Sequence, residues 1–259
     1  MAIVSTIKHY IWRVLTKRMH LDFALRSGIN VIIRNYADWC TYNDLFVNGE
    51  YREAIDDAIA EWNPVAGKER FCVLDLGANT GYFTLQLADI FLQKCAIGTM
   101  AVCSVEASPK VAAELKRRLV IPSGRVDAKI VNGLVGKRGG AARLNLGKED
   151  TINFVGDAGD GGQWEGGRGG ETVRYVDLNS VSSDMPVVHL IKCDIEGSEF
   201  AFIESYPELL AKTGRIVIEF HSPFGDIAAA TENLKAMGFT NGTVLRESAQ
   251  TPTIYFSRA

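Results

Sequence analysis

Nothing in this 259-residue chain approaches the run of apolar residues that a bilayer-spanning helix requires. Positive charge is not in surplus either. The 28 Lys and Arg against 31 Asp and Glu leave a net charge of -3, which gives no reason to expect a polyanionic partner. The five cysteines (Cys40, Cys72, Cys95, Cys103 and Cys193) include no C-x-x-C pair and no zinc-ligand spacing. Three of them fall in or beside strand-like segments, so buried free thiols in a reducing, cytoplasmic compartment are expected. No internal repeat occurs. What is present is 47% hydrophobic residues, enough for one well-buried α/β domain with an appendage.

The most informative segment is VLDLGANTGYFTLQLA, Val73 to Ala88. Phe71 to Leu76 suits the central strand of a parallel sheet. Gly77 and Gly81 bracket a turn in which backbone can approach a ligand closely. From Tyr82 onward, Phe83, Leu85, Leu87, Ala88 and Phe91 give a helix its apolar side. A strand, loop and helix in this order place a ligand at the carboxyl end of the strand. The G-x-G-x-x-G of pyrophosphate-binding sites is missing, and Asp75 stands two residues before the first glycine. A carboxylate there suits a ligand with hydroxyls or a cationic amino group, such as S-adenosylmethionine. Met100 to Val105 forms a second strand running into Glu106, about 25 residues beyond Gly81, where an acidic residue receives ribose hydroxyls. The expected cofactor contacts are Asp75, Gly77, Ala78, Asn79, Thr80, Gly81, Tyr82, Phe83, Glu106, Ala107, Asn132 and Asp194.

A second chemical centre lies in VVHLIKCDIEGSEFAFIES, Val187 to Ser205. Val187 to Cys193 reads as a buried strand, which delivers Lys192, Asp194 and Glu196 to its carboxyl end. Gly197 permits a tight turn, Ser198 is a candidate N-cap, and Glu199 in the first helical turn reads as compensating the helix dipole. The next strand, Arg215 to Phe220, ends with Glu219 followed by His221. Residues two apart in a strand share a face, so Glu219 and His221 can point together. His221 or Asp194 is placed to take a proton from a substrate hydroxyl. The rival is a magnesium ion on Asp194, Glu196 and Glu219, a less favoured arrangement.

The first 21 residues contain no acidic side chain but carry Lys8, Arg13, Lys17 and Arg18, with Ile3, Ile7, Ile11, Val14 and Leu15 at helical spacing. An amphipathic basic helix is expected, packed on the domain or a second subunit, with weak peripheral membrane contact as the alternative. Helical pattern continues from Leu21 to Trp62, and Asn63-Pro64 and Gly67 end it. Residues 1–64 therefore read as a helical segment and 65–259 as the catalytic domain. Ser108-Pro109 opens a helix, Ala128 to Val131 forms a third strand, and Asn132-Gly133 is a candidate adenine edge. Gly156 to Gly170 holds about eight glycines in fifteen residues, which suits a mobile loop or loose hairpin tip.

VLDLGANTGYFTLQLA, VEASP, IKCDIEGSEFAFIES and IVIEFH together resemble the FkbM family of S-adenosylmethionine-dependent methyltransferases. NDLFVNGEY and VRYVDLNSV resemble the family's lead-in segment and the strand before its D-x-E-G-x-E motif. The resemblance implies a Rossmann-like α/β fold, a seven-stranded, mostly parallel sheet closed by a C-terminal antiparallel hairpin near Thr240 to Arg246 and Thr253 to Ser257. It also implies methyl transfer to oxygen, on a small molecule, sugar or glycan. RNA methylation is the alternative, but base-modifying amino methyltransferases carry an Asn/Asp-Pro-Pro-aromatic tetrapeptide where Asp194-Ile195-Glu196-Gly197 stands here. A non-catalytic S-adenosylmethionine-binding protein is a further alternative, against which the intact polar strand ends speak.

Overall fold

A computed structural model describes residues 20–62, 70–146, 153–157 and 171–258. The basic N-terminal helix expected from the sequence, the Asn63-Pro64 and Gly67 break, and residues 158–170 of the glycine-rich stretch lie outside them. The organising strand is β3 (Arg70–Leu76), buried along nearly its whole length. Its apolar side chains point to both faces, which marks the centre of a doubly covered sheet. On one side it pairs in parallel with β4 (Thr99–Glu106), which pairs in parallel with β5 (Val126–Asn132). On the other side come β9 (Leu190–Cys193) and β10 (Arg215–Glu219), again parallel. β12 (Thr253–Ser257) is antiparallel to β10, and β11 (Asn241–Arg246) is antiparallel to β12. The order β11-β12-β10-β9-β3-β4-β5 gives the seven-stranded sheet and terminal hairpin expected from the sequence. Chain direction across the sheet reverses between β3 and β9, so a crevice opens beyond their carboxyl ends.

Five helices flank the sheet or build the lobe beside it: α1 (Tyr36–Tyr42), α2 (Arg52–Glu61), α3 (Tyr82–Lys94), α4 (Pro109–Arg118) and α8 (Ile227–Ala236). Helices α5 (Leu178–Val181), α6 (Glu199–Ser205) and α7 (Pro207–Ala211) cover the face that also receives α8. The proline of α4 stands at the helix start, where its missing N–H is no loss, and Ser108 Oγ accepts from Val111 N at 3.4 Å. None of the described helices is long and apolar enough to cross a membrane.

Two segments differ from the sequence expectation. Leu21 to Trp62 is not continuously helical: β1 (Leu21–Ala24) and β2 (Asn30–Ile33) form an antiparallel hairpin, turned at Gly28 with φ +86°. Each strand is only four residues long, so the period-two signal is too short to outweigh the helical spacing around it. Of VRYVDLNSV, read as a strand, only Val173 and Arg174 are in one, and Leu178–Val181 are helical. That strand, β8 (Glu171–Arg174), joins β6 (Ala141–Leu146) and β7 (Asn153–Asp157) in a separate antiparallel sheet ordered β7-β6-β8. Gly156 and Asp157, the start of the stretch read as a mobile loop or loose hairpin tip, belong to β7.

Candidate active site

The cleft at the β3 end is lined by Gly77, Asn79, Glu106, Ala107, Leu134 and Asp194 among others. Gly77 has φ +72°, and a Cβ there would sit 1.7 Å from the Asp194 carbonyl oxygen. Only glycine lets the first loop press against the end of β9. Asn79 is also left-handed, at φ +48°, and its backbone N–H donates to Glu106 Oε2 at 2.9 Å. Ser108 N donates to Oε1 at 2.8 Å, so the carboxylate of Glu106 is held by two loops. Burial pushes its pKa up, and these two backbone donors oppose that. Ala107, Val111, Leu134, Val135 and Leu144 add an apolar wall.

The structure distributes the other expected cofactor residues unevenly. Asp75 lies in β3 rather than the loop and is wholly buried. Its Oδ2 accepts from Thr84 Oγ1 at 2.7 Å, and Thr84 Oγ1 is 2.9 Å from Ser104 Oγ. Its Oδ1 has no hydrogen-bond partner and faces Lys192 Nζ at 3.8 Å. Ala78 N donates to the Val105 carbonyl, Thr80 is half-buried in the turn, and Gly81 caps α3 at φ +94°. Tyr82 and Phe83 are not brought to the cleft. Tyr82 donates its hydroxyl to the Ile32 carbonyl at 2.6 Å, and Phe83 packs edge-on against Tyr51. The helix begins at Tyr82, and the lobe of residues 20–62 covers its outer side, so both rings are core. Asn132 donates to the Glu106 and Ala107 carbonyls, tying β5 to β4, while its neighbour Gly133 lines the cleft.

Beside the cleft, single ligand atoms of Asp194, Glu219 and His221 lie within 4.8 Å of one another. Glu196, a left-handed residue at φ +53°, reaches that trio through its histidine, with Oε2 3.2 Å from His221 Nε2. Glu199 Oε1 lies 3.0 Å from His221 Nδ1. Burial alone would favour the neutral imidazole, but these two carboxylates outweigh it and raise the His221 pKa to about 10. His221 is therefore an imidazolium at neutral pH. Glu219 shows the opposite balance. Burial first, then the nearby Asp194, raise its pKa to about 7, against the Arg246 guanidinium, whose Nη2 is 2.7 Å from Oε1. Arg246 also reaches Glu50 Oε1 at 3.0 Å. Lys192 is buried, which disfavours its charge, yet Asp194, Asp75 and Glu219 together raise its pKa. Its ammonium donates to the Gly77 carbonyl at 2.7 Å and serves as a strut beneath the loop.

A family model described as the methyltransferase FkbM domain matches residues 75–240. The chain belongs to the FkbM methyltransferase family. Among curated proteins none matches its sequence. The human methyltransferase 10 domain containing protein has the same fold: TM-score 0.50 at 11% identity, over 96% of this chain and 93% of that one. The T. thermophilus 16S rRNA N2 G1207 methyltransferase, in complex with AdoMet and guanosine, is 12% identical with TM-score 0.42, over 93% of this chain and 50% of that one. The METTL16 methyltransferase domain is 10% identical with TM-score 0.45, over 80% and 66%. The FkbM chain thus spans half to two thirds of the length of these last two.

The cleft of this FkbM chain fits the S-adenosylmethionine expected from its sequence. Glu106 presents a carboxylate for ribose hydroxyls, the apolar wall offers a slot for a flat base, and Asp194 provides negative charge for a cationic ligand. The cluster beside it does not fit the magnesium set Asp194, Glu196 and Glu219. Glu196 is committed to His221, and His221 faces a carboxylate with each ring nitrogen, leaving no lone pair for a cation.

Three contributions escape the sequence reading. Glu199 is fully buried, accepts Ile195 N and Gly197 N at 3.1 Å each, and orients His221. The E-G-x-E spacing that turns its side chain back onto the loop is the signal. Leu144 reaches the cleft from the small sheet. The Arg246–Glu50 pair brings residues about 200 positions apart to Glu219, and no local pattern announces it.

Proposed function

We propose that this protein transfers the methyl group of S-adenosylmethionine to a hydroxyl of a small molecule, sugar or glycan, with Glu219 as proton acceptor. The observation that carries the reading is the convergence of Asp194, Glu219 and His221 beside the Glu106–Gly77 cleft. S-adenosylmethionine, when bound, supplies an electrophilic methyl on a positively charged sulfur. Glu106 would hold the adenosine ribose, and Asp194, half-buried at the cleft wall, would favour the positive end of the donor. An acceptor hydroxyl lies against Glu219. A carboxylate with a pKa near 7 combines a useful ionised fraction at neutral pH with enough basicity to draw off the proton. Arg246 holds Oε1 of that carboxylate, and Oε2 takes the proton. His221, already charged and held on both sides, stabilises the carboxylates around it instead of acting as the base.

Incubation with methyl-labelled donor and a panel of hydroxylated metabolites, glycans and RNA, followed by product mass and fragmentation, tests the reading. The expected result is label on oxygen of a hydroxylated acceptor. Label on a base nitrogen of RNA would contradict it.

A further inference from the structure

Lys192 is the one buried lysine among the described residues, 5% exposed. It stands opposite Asp75 in the β3–β9 register, near the centre of the sheet. Its ammonium donates to the Gly77 carbonyl at 2.7 Å and reaches the Leu76 carbonyl at 3.5 Å. A neutral amide can make such bonds without the cost of burying a charge, so the charge needs a reason of its own. Asp75 Oδ1 at 3.8 Å and Asp194 Oδ2 at 3.6 Å both stand beyond good hydrogen-bond distance. Neither carboxylate captures the ammonium outright. Burial disfavours its charge, yet Asp194, Asp75 and Glu219 together outweigh burial and keep it protonated. Gly77 and Asp194 both line the donor cleft. Lys192 thus lies directly behind the cleft wall and shares the carboxylate that a cationic ligand meets.

S-adenosylmethionine carries a net positive charge, placed on its sulfur, and S-adenosylhomocysteine carries none. An unshared Asp194 would hold the first in preference to the second. Attraction of that kind is strongest before transfer, because the positive charge leaves the sulfur as the methyl departs. Stabilising the starting state more than the transition state slows a reaction. We propose that Lys192 is a positioning residue that sets the balance between methyl donor and demethylated product by sharing the Asp194 carboxylate from behind the cleft wall. This rests on the reading of the cleft as the donor site and is independent of the acceptor.

The test is calorimetry of S-adenosylmethionine and S-adenosylhomocysteine on the full chain, read as the ratio of their dissociation constants. Lys192→Gln removes the charge and keeps N–H donors for the loop carbonyls. It should raise the preference for S-adenosylmethionine about tenfold, the scale for deleting a unit charge several ångströms away near a protein surface. Lys192→Arg keeps the charge and should keep the wild-type ratio. Where thermal melts show Lys192→Gln to be unfolded, Lys192→Met combined with Asp75→Asn removes both members of the buried pair and should shift the ratio in the same direction. A merely structural strut would weaken both ligands alike. The wild-type ratio in a folded, charge-free variant would therefore overturn the proposal while leaving the donor cleft intact. A wild type that binds neither ligand would overturn the donor cleft itself, and the proposal with it.

Discussion

Glu219 and His221 are two residues apart, yet their surroundings drive them to opposite behaviour. His221 gains two carboxylate partners and becomes more basic, whereas Glu219 is buried beside Asp194 and becomes less acidic. For Glu219 the folded pKa of about 7 exceeds the ordinary 4.5, so folding favours its protonated form. Its contribution to stability is complete below about pH 4.5 and is lost as pH rises through about 7. Glu219→Gln should therefore raise the thermal midpoint at pH 8 and leave it nearly unchanged at pH 4.5. The same variant should lower turnover by roughly 10²–10⁴-fold, and wild-type turnover should climb with pH through about 7. Thermal melts at the two pH values and a pH–rate profile check this. A less stable variant at pH 8 with full activity would remove Glu219 from the role. The sequence brings Glu219 and His221 to one strand end. It does not reveal which of them is charged, because that depends on Asp194, Glu196 and Glu199 arriving from the end of β9 and the start of α6, and on Arg246 arriving from β11.

At the scale of elements, the site depends on how closely the ends of β3 and β9 approach. Val73–Leu76 and Leu190–Cys193 pair in parallel, and Gly77 lies directly against the Asp194 carbonyl. Gly77→Ala adds a methyl that collides with backbone and also forces a side-chain-bearing residue into φ +72°. The expected loss is about 3 kcal/mol or more of stability, read as a lower denaturant midpoint, together with loss of donor binding. A midpoint equal to wild type would show that the two loops separate freely. These strands were legible because each is a short apolar run ending in glycine and acidic residues. The β1–β2 hairpin was not, since its four-residue strands are fixed by burial of Val31, with Phe23 packed beside it, against residues far along the chain. Tyr82 and Phe83 were misplaced for a related reason. Glycine-loop spacing gives their position in sequence but not that α3 is covered on its outer side.

Across the whole molecule, residues 29–62 share one apolar cluster with β3, β4 and α3, including Ile29, Ile55, Trp62, Phe71 and Phe91. Arg118 on α4 bonds Asp38 on α1 at 2.9 Å, both buried, and Arg215 on β10 bonds Asp57 on α2 at 2.9 Å. The segment before the sheet is thus packed into the same body, and through Glu50 and Arg246 it reaches Glu219. Sheet order and the location of the cleft follow from the strand–loop–helix patterns, whereas these long-range polar ties have no signature in local sequence. All of this geometry converges on a cleft for S-adenosylmethionine, which calorimetry addresses directly. Titration of the purified protein should show one donor site per chain. Glu106→Ala should weaken it by about 1.5–3 kcal/mol, the scale for a hydrogen bond to a charged group, with melts confirming that the variant is folded. Unchanged affinity in folded Glu106→Ala, or tighter binding of NADH than of S-adenosylmethionine by the wild type, would contradict the account.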